Sequence, residues 1–146
     1  MGEKENIITK EKKMKTLEKI KKEYPNLTTN GWSYGDKEKQ WVGGDITKRP
    51  KEFEAICDFL NDNISHTKTV RTNGSSSYGL KHIVEDEIGY YVSNGMFIAA
   101  ALACGYKMQY KSNYSPNSFF GMSLKDWRKF WNSNGRSGPR LDRVTN

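Results

Sequence analysis

The stretch KHIVED, residues 81–86, holds the one histidine in the chain that is followed by carboxylates at helical spacing. On a helix, residues three and four apart share a face, so His82 can reach both Glu85 and Asp86. An imidazole oriented by a carboxylate can take up and release a proton, the requirement for general acid–base catalysis. His82 and Glu85 are therefore the pair on which a small hydrolase or transferase would be built, with Lys81, Tyr78 and the serines at 75–77 close by. The same pattern also describes an ordinary polar face opposite the apolar stripe of Leu80, Ile83 and Val84. No metal site is expected, because His66 and His82 are the only histidines and no Cys or His pair has zinc-ligand spacing. No nucleotide-binding or nucleophile-elbow signature occurs and no cofactor is implied. NGSSSYG, residues 73–79, is either a phosphate cradle at a helix start or a capped, flexible linker.

A second chemistry is concentrated at the carboxyl end. The chain carries 24 Lys and Arg against 17 Asp and Glu, a net charge of +7. Residues 1–23 are at +3, residues 24–106 at −2, and residues 107–146 at +6. In that last part Lys107, Lys111, Lys125, Arg128, Lys129, Arg136, Arg140 and Arg143 interleave with Tyr106, Tyr110, Tyr114, Phe119, Phe120, Trp127, Phe130 and Trp131. Cations offset phosphate charge and release counterions, and aromatic faces stack on bases, so these eight basic residues are the expected nucleic-acid or partner contacts. The competing reading is a solvated rim around rings that complete a small core. Charge alone does not separate a nucleic acid from an acidic protein groove.

The elements that would position these groups follow from periodicity and punctuation. Met14, Leu17, Ile20 or Lys21, and Tyr24 form a thin apolar stripe on a lysine-rich helix that Pro25 stops. GWSYGDKEKQWVGGD reads as a short hairpin with Gly35 and Asp36 in its turn and Trp32 and Trp41 on its arms. Those tryptophans either pack across strands or offer a binding surface. A helix opens at Pro50 with Phe53, Ile56, Cys57 and Leu60 on one face, and residues 61–77 form a long polar connection. Ser76 or Ser77 caps a helix with Leu80, Ile83, Val84 and Ile88 buried, and Gly89 closes it. Ser93 or Asn94 caps the next helix, which Gly105 ends. YKMQY and SFFGM are strand candidates, and Ser123-x-x-Asp126 caps a last helix in which Leu124, Trp127 and Trp131 face inward and Lys125, Arg128 and Lys129 outward.

The helix pair at 77–88 and 94–104, joined by a Gly-containing turn, has the outline of a helix-turn-helix. A reading helix presents Arg, Lys, Asn, Gln or Glu from its first turns. Past Asn94 this one offers only Met, Phe, Ile, Ala and Leu, so it is expected in the core. Cys57 and Cys104 are expected as small buried hydrophobes in a reducing compartment, with a disulfide or redox pair as the alternative. The first residues lack a secretory apolar region, Asn6 stands where a myristoylation signal needs Ser or Thr, and the apolar run at 96–104 is far short of the roughly 20 residues that span a bilayer. The expectation is a chain with no membrane association.

The pattern SYGLKHIVE, then YVSNGMFIAAALACGY, then SPNSFF, over about residues 75–121, resembles small, poorly characterised proteins of bacterial and phage genomes, often carried on mobile elements. The resemblance transfers no catalytic residue. It implies a cytoplasmic accessory protein of a bacterial host that acts on nucleic acid or on host-defence complexes.

Together these readings predict one α+β domain, mainly helical, with a central helix pair and short β-hairpins. Its parts are a charged N-terminal helix (1–25), a globular core (26–132) and a basic flexible tail (133–146). The first functional expectation is a non-enzymatic phage or mobile-element protein that binds nucleic acid or a nucleoprotein complex through residues 107–143. An anti-CRISPR-type inhibitor of a host nuclease, acting by protein contact, is the alternative; the His82–Glu85 enzyme is the third. Oligomeric state has no signal in the sequence.

Overall fold

The computed structural model describes residues 15–34 and 43–133. In chain order the elements are α1 (Leu17–Glu23), β1 (Leu27–Thr28), β2 (Gly31–Trp32), a 3-10 turn (Ile46–Lys48), α2 (Pro50–Asn63), α3 (Ser77–Ile88), α4 (Asn94–Ala103), β3 (Met108–Tyr110), β4 (Ser118–Phe120) and α5 (Leu124–Ser133). β1 pairs antiparallel with β2, and β3 pairs antiparallel with β4 with Met108 opposite Phe120. This is the mainly helical α+β architecture the patterning predicts.

Its centre is α4. The side of every residue from Asn94 to Cys104 is buried, and the helix is packed by α1, α2, α3 and both strands of the first hairpin. A helix apolar all round has no face to give to water, so neighbours must enclose it. Small residues allow them close. Gly95 shows how close: a Cβ there would run into the backbone carbonyl of Thr28, and its own N–H donates to the Thr29 carbonyl at 2.9 Å. Ser93 starts the helix as expected, its hydroxyl accepting from Met96 N–H at 3.3 Å. Glu52 of α2 holds that cap in turn, accepting from Ser93 N–H at 2.9 Å and from its hydroxyl at 3.2 Å.

α2 buries Phe53, Ile56, Cys57 and Leu60, the predicted face, and Phe59 as well. α3 buries Leu80, Ile83 and Val84 and ends at Gly89 in the left-handed conformation, φ 88°. The thin stripe of α1 is a working core face: Leu17 and Ile20 are buried, and Lys15 N–H donates to the Ala103 carbonyl at 3.0 Å. Met14 and the rest of the amino-terminal segment lie outside the described residues, as do Trp41, the expected turn at Gly35 and Asp36, and the tail from residue 134.

Four local expectations need correction. Trp32 pairs on its amino-terminal side, in a hairpin upstream of the predicted one, opposite Leu27 with Thr29 and Asn30 between the strands, while the predicted turn and Trp41 lie outside the described residues. Trp32 is core, its indole N–H donating to Ser118 Oγ at 2.7 Å. The connection expected over residues 61–77 begins only at Ile64 and is not wholly polar, because Ile64 is buried in the core and His66 bridges to Met122. The Ser123 and Asp126 box is half formed. Ser123 Oγ accepts from Asp126 N–H at 3.2 Å, but Asp126 turns away to accept from Ser65 N–H at 2.8 Å, and Ser123 N–H goes to the Ser65 carbonyl. Arg128, expected outward, is half-buried, with its Nε enclosed and without a hydrogen-bond partner among the described residues.

Candidate functional site

The acid–base pair forms as its spacing predicts. His82 Nδ1 lies 3.1 Å from Glu85 Oε2, with the Tyr78 ring edge-on to the imidazole at 4.9 Å. Glu85, however, is shared. Its Oε1 accepts from Lys81 Nζ at 2.9 Å and from Val92 N–H at 3.2 Å. Burial pushes the Glu85 carboxyl up, but the hydrogen bonds from Lys81, Val92 and His82 outweigh it and hold the group below the usual carboxylate value. Lys81 is no part of an exposed face: the residue is buried, its ammonium also reaches the Val92 carbonyl at 3.0 Å, and it stands over the Tyr91 ring at 4.8 Å. The arrangement ties α3 to the turn that leads into α4, with His82 at its solvent edge.

The carboxyl-terminal set divides sharply. Tyr106, Phe119, Phe120 and Trp127 are buried, and Phe130 and Trp131 are half-buried against the core. Tyr106 donates to the carbonyls of Leu60 and Ile64 and stacks on His66, and burial pushes its hydroxyl well above the usual tyrosine value. These rings serve the fold. Tyr110 and Tyr114 remain exposed, at 46% and 79%, and both stand on the β3–β4 hairpin.

That hairpin also carries Lys107 and Lys111, both exposed. Lys107 Nζ donates to the Lys68 carbonyl at 2.8 Å, whereas the Lys111 ammonium meets no partner among the described residues. Tyr114 is the one non-glycine residue with positive φ among those described, at 68°. It is held there edge-on to Tyr34 at 5.4 Å, and Tyr34 OH donates to the Ser115 carbonyl at 2.8 Å. Such a conformation is costly for a bulky side chain, so the loop is over-determined by its neighbours. On α5, Lys125 and Lys129 are exposed, Lys129 standing 3.7 Å from Asp126. Arg136, Arg140 and Arg143 lie outside the described residues.

The structure joins one expected cation to a segment read separately. Lys111 and Asn117, from the hairpin, face NGSSSYG across a cavity of about 390 Å³ that Ser75, Ser76 and Tyr78 also line. Asn117 was invisible as a site residue, because its place depends on Asn94 of α4, whose Nδ2 donates to Asn117 Oδ1 at 2.9 Å. Tyr34 was missed because its partners, Tyr114 and Ser115, are far away in sequence. Only the serine-rich stretch before α3 carried a local signal.

Among the described residues no three His, Cys, Asp or Glu side chains gather to hold a metal ion, and no helix is long and apolar enough to cross a membrane. No protein-family model, curated protein or solved structure matches the chain.

Proposed function

We propose that the chain is a non-enzymatic nucleic-acid-binding protein, with Lys107, Lys111, Lys125 and Lys129 contacting phosphates and Tyr110 and Tyr114 stacking on bases. The observation that carries the reading is the hairpin: the Lys111 ammonium, without a partner among the described residues, shares one short hairpin with two exposed rings, Tyr110 and Tyr114. Single-stranded nucleic acid is bound by this combination, phosphate charge met by cations and unstacked bases met by aromatic faces. The Tyr34 contact supports it, because a loop already held in a strained conformation loses little freedom on binding.

Fluorescence anisotropy with a labelled single-stranded oligonucleotide, over a range of salt, tests it. Four phosphate contacts give a log–log slope of about −3. Lys125→Gln with Lys129→Gln reduces that slope by roughly 1.4, and Tyr114→Ala weakens binding by about tenfold at every salt concentration. Absence of oligonucleotide binding at low salt overturns the reading. If the same protein then captured a purified nuclease complex, it would act by protein contact.

A further inference from the structure

We propose that the cavity between the start of α3 and the β3–β4 hairpin is a binding site for a phosphate monoester. The phosphoryl group would be held by the first turn of α3, Ser76, Asn117 and Lys111, with the organic group against Tyr78. The site goes beyond the nucleic-acid surface proposed above and does not depend on it.

Three independent features converge there. Ser76 occupies the cap position of the twelve-residue helix α3, yet its hydroxyl caps nothing. The residue is only 8% exposed, it lines the cavity, and its hydroxyl has no hydrogen-bond partner among the described residues. A hydroxyl that opens onto a cavity and binds nothing among the described residues is left available to an acceptor on a ligand. Next to it, the N–H groups of Ser77, Tyr78 and Gly79 come too early in the helix for an intrahelical acceptor, and no other acceptor reaches them among the described residues. These groups carry the positive end of the helix dipole.

The opposite wall is equally one-sided. Lys111 brings a full positive charge that no carboxylate among the described residues neutralises. Asn117 accepts through Oδ1 from Asn94, so the free end of its amide is the –NH₂ group, a donor. Among the described residues no acidic one lines the cavity. Donors on every side and a net positive field suit a tetrahedral oxyanion, which offers only acceptors. A volume of about 390 Å³ falls in the range of small-molecule sites, with room for a sugar and base beyond the phosphate. Tyr78, 49% exposed, supplies a ring for them.

The terminal phosphate could come from a free mononucleotide or from the 5′ end of a nucleic-acid strand, and one set of titrations separates the two. The probes are inorganic phosphate, adenosine 5′-monophosphate, and one pentanucleotide with a 5′-phosphate or a 5′-hydroxyl. Binding is read from the amide resonances of Ser77, Tyr78 and Gly79. We expect the nucleotide to shift these resonances and to bind about tenfold more weakly in Ser76→Ala and in Lys111→Gln, each losing one charge-assisted contact. Ser76→Ala breaks no side-chain hydrogen bond among the described residues.

If the 5′-phosphorylated strand binds more tightly than its 5′-hydroxyl twin, and the mononucleotide competes, the ligand is a strand end. If the mononucleotide binds and neither strand does, the cavity assignment holds and the nucleic-acid reading fails. If both strands bind equally while phosphate and nucleotide leave the three resonances unmoved, the cavity assignment is overturned and the nucleic-acid reading stands.

Discussion

Lys81 Nζ lies 2.9 Å from Glu85 Oε1, one turn along α3, on a residue only 4% exposed. Both groups also bind Val92, the ammonium through its carbonyl and the carboxylate through its N–H. A buried charge is tolerated here because every partner is present. Removing one partner leaves the other charge uncompensated, so Lys81→Met and Glu85→Gln should each cost about 3–5 kcal/mol in urea denaturation. Lys81→Met combined with Glu85→Leu should cost clearly less than the sum of the two single changes. His82, at the edge of the network, should change stability by less than about 1 kcal/mol when replaced by Ala. A Glu85→Gln cost under about 1 kcal/mol would mean that water, not Lys81, satisfies this carboxylate.

Gly95 is expected to reverse the usual helix rule. Within an ordinary helix, Gly→Ala stabilises by about 1 kcal/mol. At this position the added methyl group would meet the Thr28 carbonyl oxygen, forcing α4 off the first hairpin. Gly95→Ala should therefore destabilise by at least about 2 kcal/mol. Gly89→Ala has open space around it but a φ of 88°, and should cost only about 1–2 kcal/mol, the strain of the left-handed region. Equal midpoints for Gly95→Ala and wild type would show that the α4–hairpin contact is looser than described.

Asp126 makes stability depend on acid. The hydrogen bond from Ser65 N–H holds its carboxyl below the ordinary value of 3.8, against the opposing effect of burial. Because the folded value is the lower one, the contribution is complete above the unfolded value and disappears as pH falls through the folded one. Asp126→Asn keeps an acceptor but loses the charge, so it should cost about 1–2 kcal/mol at pH 7. The difference from wild type should shrink below about pH 4. A difference that stays constant from pH 7 to pH 2 would remove the charge from the explanation.

The two cysteines should be inert in the native protein. Cys57 Sγ points to the Ala100 carbonyl and Cys104 Sγ to the Cys57 carbonyl, each at 3.9 Å, and both residues are buried. The hydrogen bond to Cys104, with burial, pushes the Cys57 thiol far above its usual range. Iodoacetamide should therefore label the native chain at under about a thousandth of the rate in denaturant, on the order of the unfolded fraction of a marginally stable domain. Fast labelling without unfolding would contradict this packing.

Much of the fold was legible because it is local. The faces of α2 and α3 repeat at helical spacing, Ser93 caps α4 where its chemistry says it should, and Gly89 ends α3 where a positive φ is needed. The site was legible only in pieces. His82 and Glu85 share a helix, so their contact could be read from spacing. The meeting of Ser76 with Lys111 depends on where the β3–β4 hairpin docks, and nothing local encodes that.

The sequence by itself determined that residues 94–104 are interior, because no side chain beyond Asn94 in that run can face water at a profit or hydrogen-bond a base. It also determined where positive charge accumulates. Tertiary structure alone decided which of those cations stay free, which rings are consumed by the core, and that Lys81 is buried rather than solvated. The physical reason is range: periodicity and capping act over a few residues, whereas burial and pairing depend on which distant segments fold against them.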